Sequence, residues 1–351
     1  MRDYPVPEFS MVPSQKGGSQ QGNRPALINV RTSLTTASAR NGLGFIAKAL
    51  LTPGSKVLLP AYHCPALVEP FIWAQCDVIF YPLNRDLSPD INMLKEKLPQ
   101  AKAIVLVPFF GISHDIEKYV ELARQHNCLA IEDLAHAAHK SILHGDYGVT
   151  SLQKFYPVSG GGELLIAGPS VDDRVLQLWE REKICHWRWT ALDIFSKLQR
   201  RVSGTARSGA ANGRQFIYFD PSTLGEPMSG KDIRQISMHD HERIAQSRRE
   251  NYRKLDACLS SSSLGQPLFS NLDANDVPYV YPFILKKAEY FDLIRNMAIP
   301  LYRWEEICPS GCDTTDAYRS QLVQFPCHQD LTGDDMARLT SKLEKLPGAI
   351  H

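Results

Sequence analysis

Residues 103–136 read AIVLVPFFGISHDIEKYVELARQHNCLAIEDLAH. The first eight form a short apolar run closed by Gly111, which predicts a buried strand. IEKYVELARQH then places its apolar residues at helical spacing, and CLAIEDLA returns to an apolar run that ends in acid. Strand, amphipathic helix and strand in succession are the unit of a parallel sheet with helices on its faces. Working outward, ARNGLGFIAKALL (39–51) has helical spacing, SKVLLPAY (55–62) and CDVIFYPL (76–83) are strand-like, and MLKEKLP (93–99) is a short helix. Downstream, GVTSL (148–152) and ELLIAG (163–168) are again strand-like.

This alternation predicts an α/β fold whose mostly parallel central sheet is sandwiched by helices, over residues 26–219. Before it, residues 1–25 are rich in Pro, Gly, Ser and Gln and read as an extended or poorly ordered arm, with structure beginning after it. After it, residues 220–351 read as a smaller α+β domain. Its helices are HDHERIAQSRRENYRKLDACL (239–259), EYFDLIRNMA (289–298) and TGDDMARLTSKLEKL (332–346), with the strand VPYVYPFIL at 277–285; Asp330 or Thr332 caps the last helix. Between the two, 179–202 is basic and aromatic and looks helical, while SGTARSGAANGRQ (203–215) has linker composition.

Charge and composition exclude several function classes. Lys+Arg 39 against Asp+Glu 38 gives a net charge of +1, so no global field holds nucleic acid or an acidic membrane. No apolar run is long enough to cross a bilayer, and the first thirty residues lack a signal-peptide core, from which a soluble cytoplasmic protein is expected. Eight scattered cysteines without a CxxC pair are expected to be reduced, and ICPSGCDTTD (307–316) lacks the second ligand pair of a zinc site, so no metal is expected.

In open α/β sheets ligands gather beyond the carboxyl ends of the strands, here 61–65, 109–111, 133–136 and 151–154. Asp133 ends a buried strand, where a carboxylate needs either a cation or donors. It is an ordinary turn cap or the partner of a protonated pyridine nitrogen, as in pyridoxal 5'-phosphate (PLP) enzymes. Some twenty residues on, a strand delivers Lys154 ahead of Gly160, Gly161 and Gly162, which permit a tight reversal. Alone such a lysine reads as solvated surface; with Asp133 upstream it suits an amine that links to a cofactor aldehyde and then moves protons. The turn 36–40 precedes a helix whose N-terminus suits phosphate, with Ser38, Ala39 and Arg40 at hand, although Ser38 equally reads as a simple N-cap. Ser151 is a second hydroxyl candidate, and Tyr62 and His63 either face the pyridine or pack in the core.

Taken in order, ASARNG (37–42), PGSKVLLPAYHCP (53–65), AIVLVPFFG (103–111), LAIEDLAHAAH (129–139), SLQKFYPVSGGGEL (151–164), RRENYRKL (248–255), VPYVYPFIL (277–285) and FPCHQDLTGDDM (325–336) resemble the DegT/DnrJ/StrS-type PLP-dependent sugar aminotransferases. The resemblance implies fold type I, an aspartate-aminotransferase-like architecture. It implies Lys154 as the Schiff-base lysine, Asp133 at the pyridine nitrogen, His136 near the phenolic oxygen where relatives carry glutamine, and Ser38, Ala39 and Ser151 at the phosphate. It further implies a homodimer that moves an amino group from an amino-acid donor, glutamate by family habit, to a keto sugar, commonly nucleotide-linked. Two alternatives stay open: a non-nucleotide ketone such as a cyclitol or a secondary-metabolite intermediate as acceptor, or a non-catalytic PLP-fold protein. The chain departs from the family at Ala37-Ser38-Ala39, where relatives have Ser-Gly-Thr, and at Cys64, where many have an aromatic residue. It also departs in LGEPMSGKDIRQISM (224–238), which lacks the Asn-containing loop that reaches the neighbouring subunit, so Arg188, Arg207 and Arg214 in the basic segment become substitute candidates.

Overall fold

The structure, a computed structural model, describes residues 4–14, 27–112, 115–168, 173–186, 216–269 and 271–346. Seven strands form the main sheet: β1 (Val30–Thr36), β2 (Lys56–Pro60), β3 (Asp77–Tyr81), β4 (Ala103–Leu106), β5 (Leu129–Asp133), β6 (Tyr147–Ser151) and β7 (Gly162–Ala167). Their order is β1-β7-β6-β5-β4-β2-β3. The pairs β2/β3, β2/β4, β4/β5 and β5/β6 are parallel, and β7 runs antiparallel to both β6 and β1. The sheet is therefore mostly parallel, as the βα alternation requires.

Both faces of this sheet are buried, and alternation along each strand assigns the residues. Leu58, Ile104, Leu106 and Ala130 join one core, and Val57, Leu59, Val105 and Ile131 join the other. Helices α1 (Ala39–Leu50) and α2 (Pro65–Trp73), with helix α5 over 174–186, cover the second face through Phe45, Ile46, Phe71, Val175 and Leu178. On the first face lie α3 (Ile91–Lys97) and α4 (Ile116–Gln125), and the same core continues into Tyr252, Tyr281, Phe283 and Phe325 of the C-terminal part.

That C-terminal part holds a three-stranded antiparallel sheet, β8 (Gly265–Pro267), β9 (Val280–Leu285) and β10 (Leu322–Pro326), in the order β10-β9-β8. Around it run α6 (Gly230–Ser237), α7 (His241–Leu259), α8 (Tyr290–Asn296), α9 (Asp313–Gln321) and α10 (Gly333–Glu344). Of the two expected caps for the last helix, Thr332 takes the post: its hydroxyl accepts from Asp335 N–H and the Asp335 carboxylate accepts from Thr332 N–H.

The expectation that structure begins after residue 25 is corrected for residues 4–14. They carry no helix or strand, yet they lie on the C-terminal part. Tyr4 Oη donates to Asp292, Lys342 Nζ bonds Glu8 at 2.7 Å, Ser14 N–H donates to Asp330 at 2.6 Å, and the His328 ring bonds Ser10 O at 2.9 Å. Composition alone misleads here because Tyr4 and Phe9, the residues that anchor the arm on the core, are few. The eight cysteines are unpaired, as their reduced reading expects; Cys76, Cys128, Cys312 and Cys327 are buried and Cys185 is exposed. No helix among the described residues is long and apolar enough to cross a membrane.

Candidate active site

The carboxyl ends of β2, β4, β5 and β6 open onto one cavity of about 220 Å³. Parallel strands in register bring these ends to one edge of the sheet, and the chain spends its polar residues there. All eight residues expected at a site line it: Lys154, Asp133, His136, Ser38, Ala39, Ser151, Tyr62 and His63.

Asp133 closes β5. Its Oδ1 accepts from Ala135 N–H at 2.9 Å and so caps the short turn Leu134–His136, while Oδ2 bonds nothing among the described residues. The capping role is real, and it leaves half of the carboxylate for the cavity. Burial raises the Asp133 pKa, opposed by the Lys154 charge and the Ala135 N–H. Lys154 sits at the end of the turn Leu152–Lys154 after β6, with Nζ 5.3 Å from the centroid of the Tyr279 ring. Its ammonium has no hydrogen-bonded or ion-paired partner among the described residues; burial lowers its pKa, Asp133 and Cys64 oppose that, and Arg40 adds to it. A lysine amine with a lowered pKa thus shares this cavity with a partly free carboxylate.

His136 is held on both ring faces, by Phe110 at 5.6 Å and 12° and by Tyr279 at 4.9 Å and 16°. Phe110 N–H donates to its Nδ1 at 3.3 Å, which puts the proton of the neutral ring on Nε2. Burial, with the Lys154 charge second, holds its pKa well below the ordinary value, so His136 offers an edge N–H donor rather than a charge.

At the other end of the cavity, α1 begins. Ser38 is its N-cap: the hydroxyl accepts from Asn41 N–H at 3.4 Å and donates to Asn41 Oδ1 at 2.6 Å. The side chain is thus engaged locally, while Ala39 N–H and Arg40 N–H in the first turn bond nothing among the described residues. The glycine turn fits against this helix end. Gly161 has φ +122 and donates to Ala37 O at 2.8 Å, and a Cβ on Gly162 would lie 2.5 Å from both Ser38 C and Ala39 N. Ala37 N–H donates in turn to Glu226 O at 2.9 Å, so the segment 224–238 braces the turn within its own chain. Ser151 is buried and makes no cap bond.

For Tyr62 and His63 the geometry favours the packed-aromatic alternative. Tyr62 is fully buried and stacks on Trp304 at 4.9 Å and 21°, with its hydroxyl unpartnered among the described residues. The His63 ring lies on Phe80 at 4.5 Å and 8°; its Nδ1–H donates to Ala61 O at 2.9 Å and its Nε2 accepts from Cys308 N–H at 3.3 Å. Both nitrogens are therefore spent, Nδ1 on the end of β2 itself and Nε2 on joining it to the C-terminal part. Trp304, Tyr218, Gln153 and Cys64 also line the cavity. Trp304 and Tyr218 carried no signal in sequence, because they reach the site from segments without strand or helix pattern. Arg188, Arg207 and Arg214 lie outside the described residues.

Compared with known proteins, residues 25–159 match the DegT/DnrJ/EryC1/StrS aminotransferase family. This segment is similar to that family. The DegT/DnrJ/EryC1/StrS match contains the helix end at Ser38, Asp133, His136, Ser151 and Lys154, and the family is PLP-dependent. The chain is 24% identical over 181 residues to the UDP-N-acetyl-3-dehydro-alpha-D-glucosamine 3-aminotransferase of Acidithiobacillus ferrooxidans, 48% of this chain and 49% of that one. It is thus matched over about half the length of that relative. Among solved structures it is similar to the aminotransferase TlmJ of Streptoalloteichus hindustanus, with TM-score 0.67, 18% identity and coverage of 88% of this chain and 84% of that one. It is also similar to the putative sugar aminotransferase Spr1654 of Streptococcus pneumoniae in its PLP form, with TM-score 0.65, 13% identity and coverage of 97% of each chain. These likenesses show the fold and nothing further.

Proposed function

We propose that the chain is a PLP-dependent aminotransferase that moves an amino group from an amino-acid donor, glutamate, to a nucleotide-linked keto sugar, as a cytoplasmic homodimer. The observation that carries this reading is the convergence, in one cavity, of a Lys154 amine and an Asp133 carboxylate oxygen that have no partner among the described residues, below an open helix N-terminus.

The residues present suit PLP on three counts. A phosphate needs donors, and the N–H groups of Ala39 and Arg40, which bond nothing among the described residues, stand at the start of a twelve-residue helix that lines the cavity. A protonated ring nitrogen needs an acid, and Asp133 Oδ2 bonds nothing among the described residues. An aldehyde needs an amine, and Lys154 Nζ has no competing partner among the described residues. When bound, PLP supplies an aldehyde that takes amines and a ring that withdraws electrons. Asp133 would hold the proton at the ring nitrogen. Lys154 Nζ would anchor the aldehyde carbon and, once released as a neutral amine, would take the proton from the amine-bearing carbon of the donor and return it at the cofactor's aldehyde carbon. Its lowered pKa keeps the neutral amine populated nearer neutrality. His136 Nε2–H would donate to the phenolic oxygen, with its ring orientation fixed by Phe110 and Tyr279.

The keto-sugar acceptor is supported by the relative named as an aminotransferase of a UDP-linked sugar. A free cyclitol or other uncharged ketone is favoured by one observation: the neighbouring cavity of about 920 Å³, which shares Cys64, Tyr218 and Trp304, carries Glu289, Asp292, Glu305 and Glu306 against Arg295 and Arg303. A pyrophosphate is poorly served by that excess of acid.

The test is a half-reaction. Purified protein loaded with PLP and given glutamate should release one 2-oxoglutarate per chain and lose its visible absorbance; keto sugars, nucleotide-linked and free, should then restore it. Lys154→Ala should lack both changes. Glutamate that alters nothing in the loaded wild type would refute the aminotransferase reading.

A further inference from the structure

Arg248 is the largest fully buried side chain of the described residues, and no carboxylate forms an ion pair with it there. A buried guanidinium without a counter-ion is costly unless its donors are all used on something fixed. Here they are used on carbonyls around Lys154. From α7, Nη2 donates to Lys154 O at 3.3 Å, and Nη1 donates to Pro278 O at 3.2 Å and Tyr279 O at 3.0 Å. Nε donates to Gln329 Oε1 at 2.9 Å, and the guanidinium lies 4.5 Å from the centroid of the Phe155 ring.

Gln329 extends the arrangement. Because its Oε1 faces Arg248, its Nε2 is turned toward the main chain and donates to Phe155 O at 2.8 Å. The carbonyls of Lys154 and Phe155 are therefore gripped by two side chains that come from outside the sheet delivering the lysine. The Tyr279 carbonyl is tied to the same guanidinium, and the Tyr279 ring faces Lys154 Nζ on one count and the His136 ring on another. Three segments distant in sequence, 248, 278–279 and 329, meet the lysine backbone at one charged group.

We infer that Arg248, with Gln329, is a positioning clamp that fixes the Lys154 peptide and the Tyr279 ring so that Lys154 Nζ is presented for covalent attachment of the cofactor aldehyde. Neither side chain lines the cavity, so the clamp acts through Lys154 and not on substrate. The inference rests on Lys154 being the attachment lysine.

Binding of two cofactor forms separates the outcomes. Pyridoxal phosphate can bond to the lysine, whereas pyridoxamine phosphate cannot and is held by the rest of the cavity. In the full-length protein, Lys154→Ala should weaken pyridoxal phosphate while sparing pyridoxamine phosphate; equal affinity of wild type and Lys154→Ala for pyridoxal phosphate would overturn the attachment reading, and the clamp with it. Given that difference, Arg248→Met should weaken pyridoxal phosphate about tenfold or more, the loss expected when charge-assisted bonds to a fixed peptide go. Pyridoxamine phosphate should stay within about twofold. Gln329→Leu, which leaves the guanidinium in place, should move the same way by a smaller factor and serves where Arg248→Met does not fold. Parallel weakening of both forms in the variants would reduce the clamp to general structural support, and unchanged affinity for both would remove it; either result overturns the inference.

Discussion

Asp133 does two jobs through two oxygens, and one substitution separates them. Asn is as good a cap as Asp, so Asp133→Asn keeps an acceptor for Ala135 N–H and should fold normally. It removes the charge facing the cavity, which should lower turnover on the order of 100-fold or more with little change in melting temperature, measured by donor half-reaction rates and thermal unfolding. Equal turnover would deny the carboxylate its role. This residue was legible in sequence because a strand that ends in acid is a physical anomaly wherever it occurs. Arg248 was not legible as a site residue: within RRENYRKL it looks like one more charge on a polar helix, and only the fold shows it buried against the Lys154 carbonyl.

Among elements, the strands and helices with clear periodicity were readable, and those without were not. VRTSLTT, the edge strand β1, has one Leu and one Val to mark it, and its pairing with β7 gives it its place. In α2, PALVEPFIW is apolar on nearly every side and carries Pro70 inside the helix, so neither period nor propensity marked it. The Gly160–Gly162 turn was read as a reversal, but its larger use is to let β7 approach the start of α1. Gly162→Ala would set a methyl group 2.5 Å from Ala39 N and 2.7 Å from Thr150 O, both main-chain atoms. It should cost about 1–3 kcal/mol in urea unfolding and weaken both pyridoxal and pyridoxamine phosphate, because the helix end moves for either. Weakening confined to the pyridoxal form would contradict that placement.

At the scale of the whole molecule, buried histidines join segments distant in sequence. His63 links the end of β2 to Cys308, and His328, beside Gln329, bonds Ser10 of the N-terminal arm. Burial lowers the pKa of His63, His136, His239 and His328, the last to about 4 from 6.5. The unfolded chain therefore binds more protons below 6.5, and stability falls as pH drops through that value toward the folded pKa. Asp133, whose pKa is raised, works in the opposite sense above its ordinary value. Urea midpoints measured between pH 7 and pH 4 should fall steadily, and His328→Asn should lose less over that range, by roughly 2–3 kcal/mol at the acid end. Equal slopes for the two proteins would show that His328 is not a neutral joint.

The α/β order of the main sheet could be read from residues 103–136 outward, whereas the docking of the C-terminal part on it could not, since carbonyl-to-arginine contacts leave no pattern in a chain. The account as a whole depends on Lys154 as the residue to which the cofactor attaches. Loading the protein with pyridoxal phosphate, reducing with borohydride and mapping the labelled peptide tests that directly. The label should fall on Lys154 within SLQKFYPVSGGGEL and disappear in Lys154→Ala; a label on another lysine, or none in the wild type, would contradict it.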